Sequence, residues 1–180
     1  CGVTTGKECL FVEDRPVYNS VKEALKHHSV DASMLFVPPR LTKDAVMEAL
    51  DAGIKKIVTI ADGIPLHDMV LIRQAAKEHH AFVVGGNTSG VISPKLAMMG
   101  SFPHWIERVY KKGNIGVMTR SGSLTNEVTA MIVEAGYGVS TLIGVGGDPV
   151  PGTRFAEFLP LYEADSETKA IVIIGELGGT

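Results

Sequence analysis

The sequence predicts an α/β fold built from parallel sheets in two units. Short apolar runs alternate with longer stretches whose apolar residues recur at helical spacing, and this alternation is typical of strand–helix crossovers. It breaks once, between Ser93 and Gly113, where two prolines and the single tryptophan interrupt the pattern. We interpret this stretch as an inter-domain connection, which predicts one domain over residues 1–110 and a second over residues 111–180.

The first unit is predicted from its apolar runs and its helix signals. Its elements, in chain order, are a helix through Lys26, a strand at Ser33–Val37, a helix ending at Gly53, a strand at Lys56–Ile60, a helix over Ile64–His80 and a strand at Phe82–Val84. Asn19 or Ser20 is expected to cap the first helix, and Thr42 the second. Pro65 suits the first turn of the third helix.

The second unit repeats this order but is incomplete. Its predicted elements are a strand at Ile115–Met118, a helix over Leu124–Ala135, a strand at Val139–Val145, a helix over Thr153–Ala164 and a strand at Ala170–Ile174. No closing helix follows the last strand, and the opening residues Cys1–Lys7 resemble the middle of a domain. We therefore expect the sequence to be a fragment.

The composition excludes several classes of protein. The net charge of −3 gives no general attraction to nucleic acid or anionic membranes, and no apolar stretch approaches the roughly 20 residues that span a bilayer. Cys1 and Cys9 lack zinc-site spacing and are too few for a disulfide framework. These features favour a reducing compartment, the cytoplasm, with the mitochondrial matrix as the alternative. The histidines lack metal-ligand spacing, so no metal site is expected.

Two loops of the first unit have compositions suited to ligands. Ligands of open parallel sheets bind beyond the carboxyl ends of the strands. Asp62 follows a predicted strand, and it would either accept hydrogen bonds from a ribose or an amide, or cap the helix near Pro65. The loop Gly85–Gly90, which contains Asn87, would either let a ligand approach the backbone closely or form only a tight turn.

The opening loop Gly2–Lys7 resembles a phosphate loop without matching one. Its glycines are too close together for the Walker pattern, and Glu8 occupies the place of the metal-binding hydroxyl residue. A flexible turn with a solvated lysine is the alternative.

The turn before the first helix of the second unit favours an anion site. Ser121-Gly122-Ser123 opens that helix, where unpaired backbone N–H groups attract anions, and Thr125 adds a hydroxyl. A plain N-cap is the alternative, but a cap needs one hydroxyl and this turn offers three. Two carboxylates, Asp148 and Glu176, are expected on the same edge. A charge directly after a buried apolar strand, as at Glu176, requires a partner.

Seven motifs together resemble the alpha subunit of succinyl-CoA synthetase and its relatives, including ATP-citrate lyase. They run along essentially the whole chain, and their order and spacing are more specific than any single motif. The motifs are Gly2–Lys7, Pro16–Val21, Ala49–Ile54, Asp62–Pro65, Arg120–Thr125, Gly144–Gly152 and Gly175–Gly179.

The resemblance implies a fold and an activity. It implies a Rossmann-type CoA-binding domain, without its first strand and glycine-rich loop, followed by an incomplete flavodoxin-like domain. It also implies a carboxylic acid–CoA ligase that works through a phosphohistidine and an acyl phosphate. A beta subunit or fused region would supply the ATP-grasp site, with ATP or GTP and Mg. This fragment alone is expected to be inactive.

The resemblance also assigns roles to individual residues. Its CoA-binding candidates are Lys7, Ile60, Ala61, Asp62 and Asn87. Its phosphate-binding candidates are Ser121, Gly122, Ser123 and Thr125. Glu176 matches a glutamate that orients the phosphohistidine, and Asn126 occupies a place near the acid substrate.

Departures from the family pattern leave the acid open. Asn126 stands where the succinate enzymes usually have a tyrosine, and the loop Gly85–Gly90 lacks their usual proline and cysteine. Malate or citrate is therefore an alternative to succinate. The phosphorylated histidine is expected beyond Thr180, since none of the six histidines falls in its motif. The alternative to a ligase is a CoA-binding relative that phosphorylates no histidine.

Overall fold

The computed structural model describes residues 1–8, 10–103 and 109–177, so Cys9 and Trp105 lie outside the described residues. Two sheets of three strands belong to the first unit. The smaller sheet has the order β1-β3-β2, with β1 at Gly2–Val3, β2 at Phe11–Val12 and β3 at Arg15–Tyr18. The other has the order β4-β5-β6, with β4 at Ser33–Leu35, β5 at Lys56–Thr59 and β6 at Phe82–Val84, all parallel.

Three helices accompany these strands: α1 at Val21–Ala24, α2 at Pro39–Asp51 and α3 at Leu66–Glu78. The apolar residues of α2 recur at helical spacing, and Val46 and Leu50 are buried in a core shared with Ile57 of β5 and Ile72 of α3. Ser20 caps α1, as one of the two expected alternatives.

The prediction that Thr42 caps the second helix is wrong. The helix begins earlier, at Pro39, with Pro38 as its N-cap. Proline suits this place because its fixed backbone angle fits the first turn and its missing N–H has no helical partner there. Thr42 is instead buried inside the helix, and its hydroxyl donates to the Pro38 carbonyl at 3.3 Å.

A five-stranded sheet of order β11-β9-β10-β7-β8 combines residues 90–100 of the predicted first unit with strands of the second unit. Its strands are β7 at Gly90–Ser93, β8 at Ala97–Gly100, β9 at Lys112–Thr119, β10 at Val139–Gly144 and β11 at Ala170–Ile174. Strands β9, β10 and β11 are parallel, and their crossovers contain α4 at Gly122–Glu134 and α5 at Phe155–Ala164. The predicted α/β class is confirmed.

The stretch that we interpreted as a connection begins inside a β-hairpin formed by residues 90–100. Strands β7 and β8 pair antiparallel across a turn at Pro94–Leu96, and β7 also pairs antiparallel with β10. The hairpin was not predicted because side chains such as Leu96 and Met98 are exposed, so its sequence lacks a buried apolar run. The division at residues 110 and 111 stays a prediction. None of the described helices is long and apolar enough to cross a membrane.

Candidate functional site

The loops that follow five strands, β5 and β6 of one sheet and β9, β10 and β11 of the other, lie next to one another. We call this group of loops the rim. The rim comprises residues 60–63, 85–90, 119–123, 144–148 and 174–176. Backbone hydrogen bonds join neighbouring loops: Asn87 N–H donates to the Ala61 carbonyl at 2.7 Å, and Gly147 N–H donates to the Asn87 carbonyl at 3.0 Å. Arg120 N–H donates to the Ile174 carbonyl at 3.2 Å. The rim is therefore one continuous surface that crosses from the first unit to the second.

Glycine is required where these loops touch. A Cβ atom at Gly146 would lie 2.1 Å from the Gly86 carbonyl oxygen, and Gly146 has a positive φ of 108°. Both conditions exclude a larger residue without a backbone shift. The glycine-rich sequence therefore serves loop contact here.

The first-unit part of the rim brings together four of the predicted CoA-binding residues. Ile60 and Ala61 are half-buried at the end of β5, whereas Asp62 and Asn87 are exposed. Pro65 is the N-cap of α3, and no side chain makes a capping bond there. Asp62 is therefore not the helix cap, and its exposed carboxylate suits a ligand.

Lys7 lies apart from this group. It is exposed in the turn after β1, and the preceding Gly6 N–H donates to the Asn19 side-chain oxygen at 2.8 Å. Within the described residues, no hydrogen bond or ion pair joins Lys7 to the rim. Its role toward CoA stays a prediction.

The second-unit part of the rim includes the start of α4. The Ser121 hydroxyl accepts from Leu124 N–H at 3.3 Å and lies 3.3 Å from the Ser123 hydroxyl. Gly122 and Ser123 are exposed, and a Cβ atom at Gly122 would meet nothing within 4 Å. The exposed backbone N–H groups, the helix dipole and this open space are the conditions for binding an anion.

Thr125 differs from the two serines. It is fully buried, and its hydroxyl donates to the Ser121 carbonyl at 2.5 Å. In this arrangement the hydroxyl stabilises the first turn of the helix, and only the backbone of Thr125 adds to the positive end of the dipole. Its direct contact with phosphate stays a prediction.

Asn126 has a fixed orientation. The buried Tyr110 hydroxyl donates to the Asn126 side-chain oxygen at 2.7 Å. Burial raises the pKa of Tyr110 to about 12, against a lowering hydrogen bond with Thr129, so the phenol remains a donor at neutral pH. One acceptor site of the Asn126 amide oxygen is thereby occupied. Asn126 lies four residues after Gly122, so the two residues share a face of the helix.

Glu176 occupies the last loop of the rim. It is exposed and follows β11, whose last residue, Ile174, pairs with Thr119 of β9. The loop that contains Glu176 therefore lies beside the loop that opens α4. Its predicted role toward a histidine agrees with this placement and stays a prediction.

The sequence reasoning did not assign a role to the two most deeply buried charges. Arg120 is 4% exposed and Asp148 is 7% exposed. Burial raises the pKa of Asp148, and the Asp62 charge adds to this, whereas the Asn87 side chain, Arg120 and the Gly63 N–H oppose it. An arginine directly after the apolar run of β9 was the sequence signal, because a charge there is buried in the sheet edge.

The fold and the rim define an α/β protein with exposed polar groups at the carboxyl ends of its parallel strands and an open helix start beside them. Residues 1–63 match the family described as CoA binding domain, and residues 118–180 match the family described as CoA-ligase. The chain therefore belongs to the acid–CoA ligase family of the succinyl-CoA synthetase alpha subunits and ATP-citrate lyase. This confirms the resemblance inferred from the seven motifs.

Individual relatives agree with this assignment. The chain is 83% identical over 180 residues to the ADP-forming sulfoacetate-CoA ligase subunit SqwL of Acholeplasma sp, covering all of this chain and 61% of that protein. It is 44% identical over 179 residues to the succinate–CoA ligase [ADP-forming] subunit alpha 1 of Archaeoglobus fulgidus, covering 99% of this chain and 60% of that protein. The chain thus spans about three fifths of the length of these curated relatives.

The fold also matches a solved structure. It superposes on ATP citrate lyase from Methanothrix soehngenii, solved in complex with citrate and coenzyme A, with a TM-score of 0.84 and 27% identity. The match covers 92% of this chain and 28% of that protein.

Proposed function

We propose that this chain is part of the alpha subunit of an ADP-forming acid–CoA ligase whose acid is sulfoacetate. The observation that carries the proposal is the rim, where exposed polar groups suited to CoA lie in loops bonded to those of an open helix N-terminus suited to phosphate. A protein that only bound CoA would not need the second feature.

The chemistry follows from the two parts of the rim. A nucleoside triphosphate phosphorylates a histidine outside these residues and leaves as the nucleoside diphosphate. The acid carboxylate then attacks that phosphorus, the N–P bond to the histidine breaks, and an acyl phosphate forms. The CoA thiol attacks the acyl carbon, the C–O bond to phosphate breaks, and phosphate leaves with the electron pair. The N–H groups at Gly122 and Ser123 stabilise the charge on the transferring group, and Glu176 orients the imidazole.

The remaining parts are assigned to other components. ATP, or GTP as the alternative, would bind with Mg to a beta subunit or a fused ATP-grasp region. Lys7, Ile60, Ala61, Asp62 and Asn87 would contact CoA, with Lys7 toward its phosphates. A cytoplasmic setting is part of the proposal.

The choice of acid rests on the similarity to relatives, and Asn126 is compatible with it. Both a sulfonate and a carboxylate only accept hydrogen bonds, and the Asn126 NH₂ can donate while its oxygen accepts from Tyr110. Such a donor suits the far end of sulfoacetate as well as that of a dicarboxylate. The 83% identity to a sulfoacetate-CoA ligase subunit, against 44% to a succinate–CoA ligase subunit, supports sulfoacetate over succinate, malate and citrate.

The test is a substrate panel on the full-length protein with its nucleotide-binding partner. Sulfoacetate, succinate, malate and citrate are each supplied with CoA and ATP or GTP, and acyl-CoA and nucleoside diphosphate are measured. Sulfoacetate is expected to give the highest kcat/KM. Preference for another acid would refute the substrate, and CoA binding without phosphoenzyme or acyl-CoA would refute the ligase.

A further inference from the structure

Arg120 and Asp148 stand out among the described residues because they are the only charged side chains that are buried, and both lie in the rim. Neither is among the residues assigned to CoA, phosphate or acid. They are therefore the strongest candidates for a role that the proposed function has not yet used.

Arg120 holds the loop that contains Asp148, and this loop also contacts the first unit. The Arg120 guanidinium donates through Nη2 to the carbonyl oxygens of Gly147 at 3.3 Å and Asp148 at 2.5 Å. This fixes the loop against the residue that precedes the Ser121 cap of α4. The Asp148 carboxylate faces Gly63 and Asn87 on the other side. We call residues 60–63 and 85–90 the CoA side of the rim, and residues 119–123 and 174–176 the phosphate side. A chain of contacts thus connects these two sides.

Several polar atoms of this pair have no partner. Arg120 Nε, Arg120 Nη1 and Asp148 Oδ2 are buried without a hydrogen bond among the described residues. A buried charge with unmade hydrogen bonds lowers stability. The unpartnered atoms therefore indicate a role beyond the stability of the fold.

We propose that Arg120 and Asp148 are positioning residues that set the distance between the CoA side and the phosphate side of the rim. The proposal rests on the proposed ligase function. Because the unpartnered atoms are buried, they act through the loops rather than by touching substrate. Phosphoenzyme formation and CoA binding each use one side of the rim, so they should not change when Arg120 or Asp148 is substituted. The attack of the CoA thiol on the acyl phosphate, which uses both sides, should depend on it.

The experiment separates these steps in the full-length protein with its nucleotide-binding partner. Phosphoenzyme formation from ATP is followed by rapid quench, CoA affinity by calorimetry, and discharge of isolated phosphoenzyme by sulfoacetate with and without CoA. The variants are Asp148→Asn and Arg120→Lys, which keep size or charge. The matched control is Arg73→Met, because Arg73 also donates to carbonyls of the β10–α5 segment, at Pro151 and Gly152, but outside the rim.

The expected result is selective. Both rim variants should form phosphoenzyme and bind CoA within about threefold of the parent, while CoA-dependent discharge falls by about tenfold or more, since a displacement of about 1 Å at reacting groups can cost about 100-fold. Arg73→Met should change none of the three. Unchanged discharge in both rim variants, or an equal fall in every step, would refute the positioning role. A parent complex that forms no phosphoenzyme would instead refute the proposed function.

Discussion

Two arginines donate to the segment between β10 and α5, and they do so in different ways. Arg73 lies on α3, outside the rim, and its Nη1 donates to Pro151 and Gly152 while its Nη2 pairs with Glu157 at 2.9 Å. Arg120 lies in the rim and donates through Nη2, whereas its buried Nε and Nη1 have no partner in the part of the chain that the structure describes.

We infer from this difference a structural tie at Arg73 and a functional one at Arg120. The Arg73 guanidinium is paired with an opposite charge, so this tie stabilises the contact between the units. The Arg120 guanidinium keeps buried donors without a partner among the described residues, and such departures from good packing occur mainly at functional sites. We therefore expect substitutions in the rim to change rates, and substitutions around Arg73 to change stability.

The largest expected effect is at Gly122. Gly122→Val would place a side chain in the open space at the start of α4, where the phosphoryl group is proposed to bind. Phosphoenzyme formation in the full complex should fall by about 100-fold, the scale of a lost oxyanion donor, while CoA affinity stays near that of the parent. Rapid quench beside CoA titration measures both. Parent-like phosphorylation would mean that this helix start is only structural.

A smaller rate effect is expected at Glu176. Glu176→Gln keeps the size but removes the charge that would orient the imidazole, so phosphorylation should slow by about 10- to 100-fold, the range for supporting partners of a site histidine. The same quench experiment applies. A loss of CoA affinity in this variant would contradict its placement on the phosphate side of the rim.

An effect on binding alone is expected at Lys7. Lys7→Ala should weaken CoA by about 1–3 kcal/mol, the scale of a charge-assisted hydrogen bond, without slowing phosphoenzyme formation. Calorimetry with CoA checks this. Lys22→Ala, another exposed lysine of the first unit, serves as the control. Equal CoA affinity in the Lys7 variant and the parent would remove Lys7 from the site.

Arg73 tests the structural half of the comparison. Arg73→Met removes the bonds to Pro151, Gly152 and Glu157, and it should lower the free energy of unfolding by about 1–2 kcal/mol without changing any rate. Urea unfolding followed by circular dichroism measures the loss. A rate change at full stability would place functional coupling outside the rim and break the comparison.

The smallest expected effect concerns the pH dependence of stability at Asp148. Burial, followed by the Asp62 charge, raises its pKa above the usual value. The protonated carboxyl therefore contributes to stability fully at a pH below the pKa of the unfolded state, about 3.9. That contribution is lost as the pH rises through the pKa of the folded state. Asn is neutral at every pH, so the free energy of unfolding of Asp148→Asn relative to the parent should rise from acid to neutral pH. The expected rise is smaller than the contribution of one hydrogen bond, which is about 1 kcal/mol. A fall over the same range would show that the carboxylate is stabilising.

The polar residues at the strand ends could be predicted from sequence. Asp62, Asn87, the serines at 121 and 123, and Glu176 each follow an apolar run, and the carboxyl ends of parallel strands share one edge. The structure places all of them on that edge. Exposed strands such as β8 were missed because they bury too little apolar surface to leave a pattern.

The sequence by itself determined the α/β class, the alternation of strands and helices, and the residues at the strand ends, because periodicity and capping are local properties. Only the tertiary structure decided how those residues are used. It committed the Thr125 hydroxyl to its own helix and fixed Asn126 through Tyr110, which lies sixteen positions away. It also buried Arg120 and Asp148, which lie 28 positions apart and are joined by a hydrogen bond. Burial and hydrogen-bond partners depend on contacts between distant segments, and no local pattern contains them.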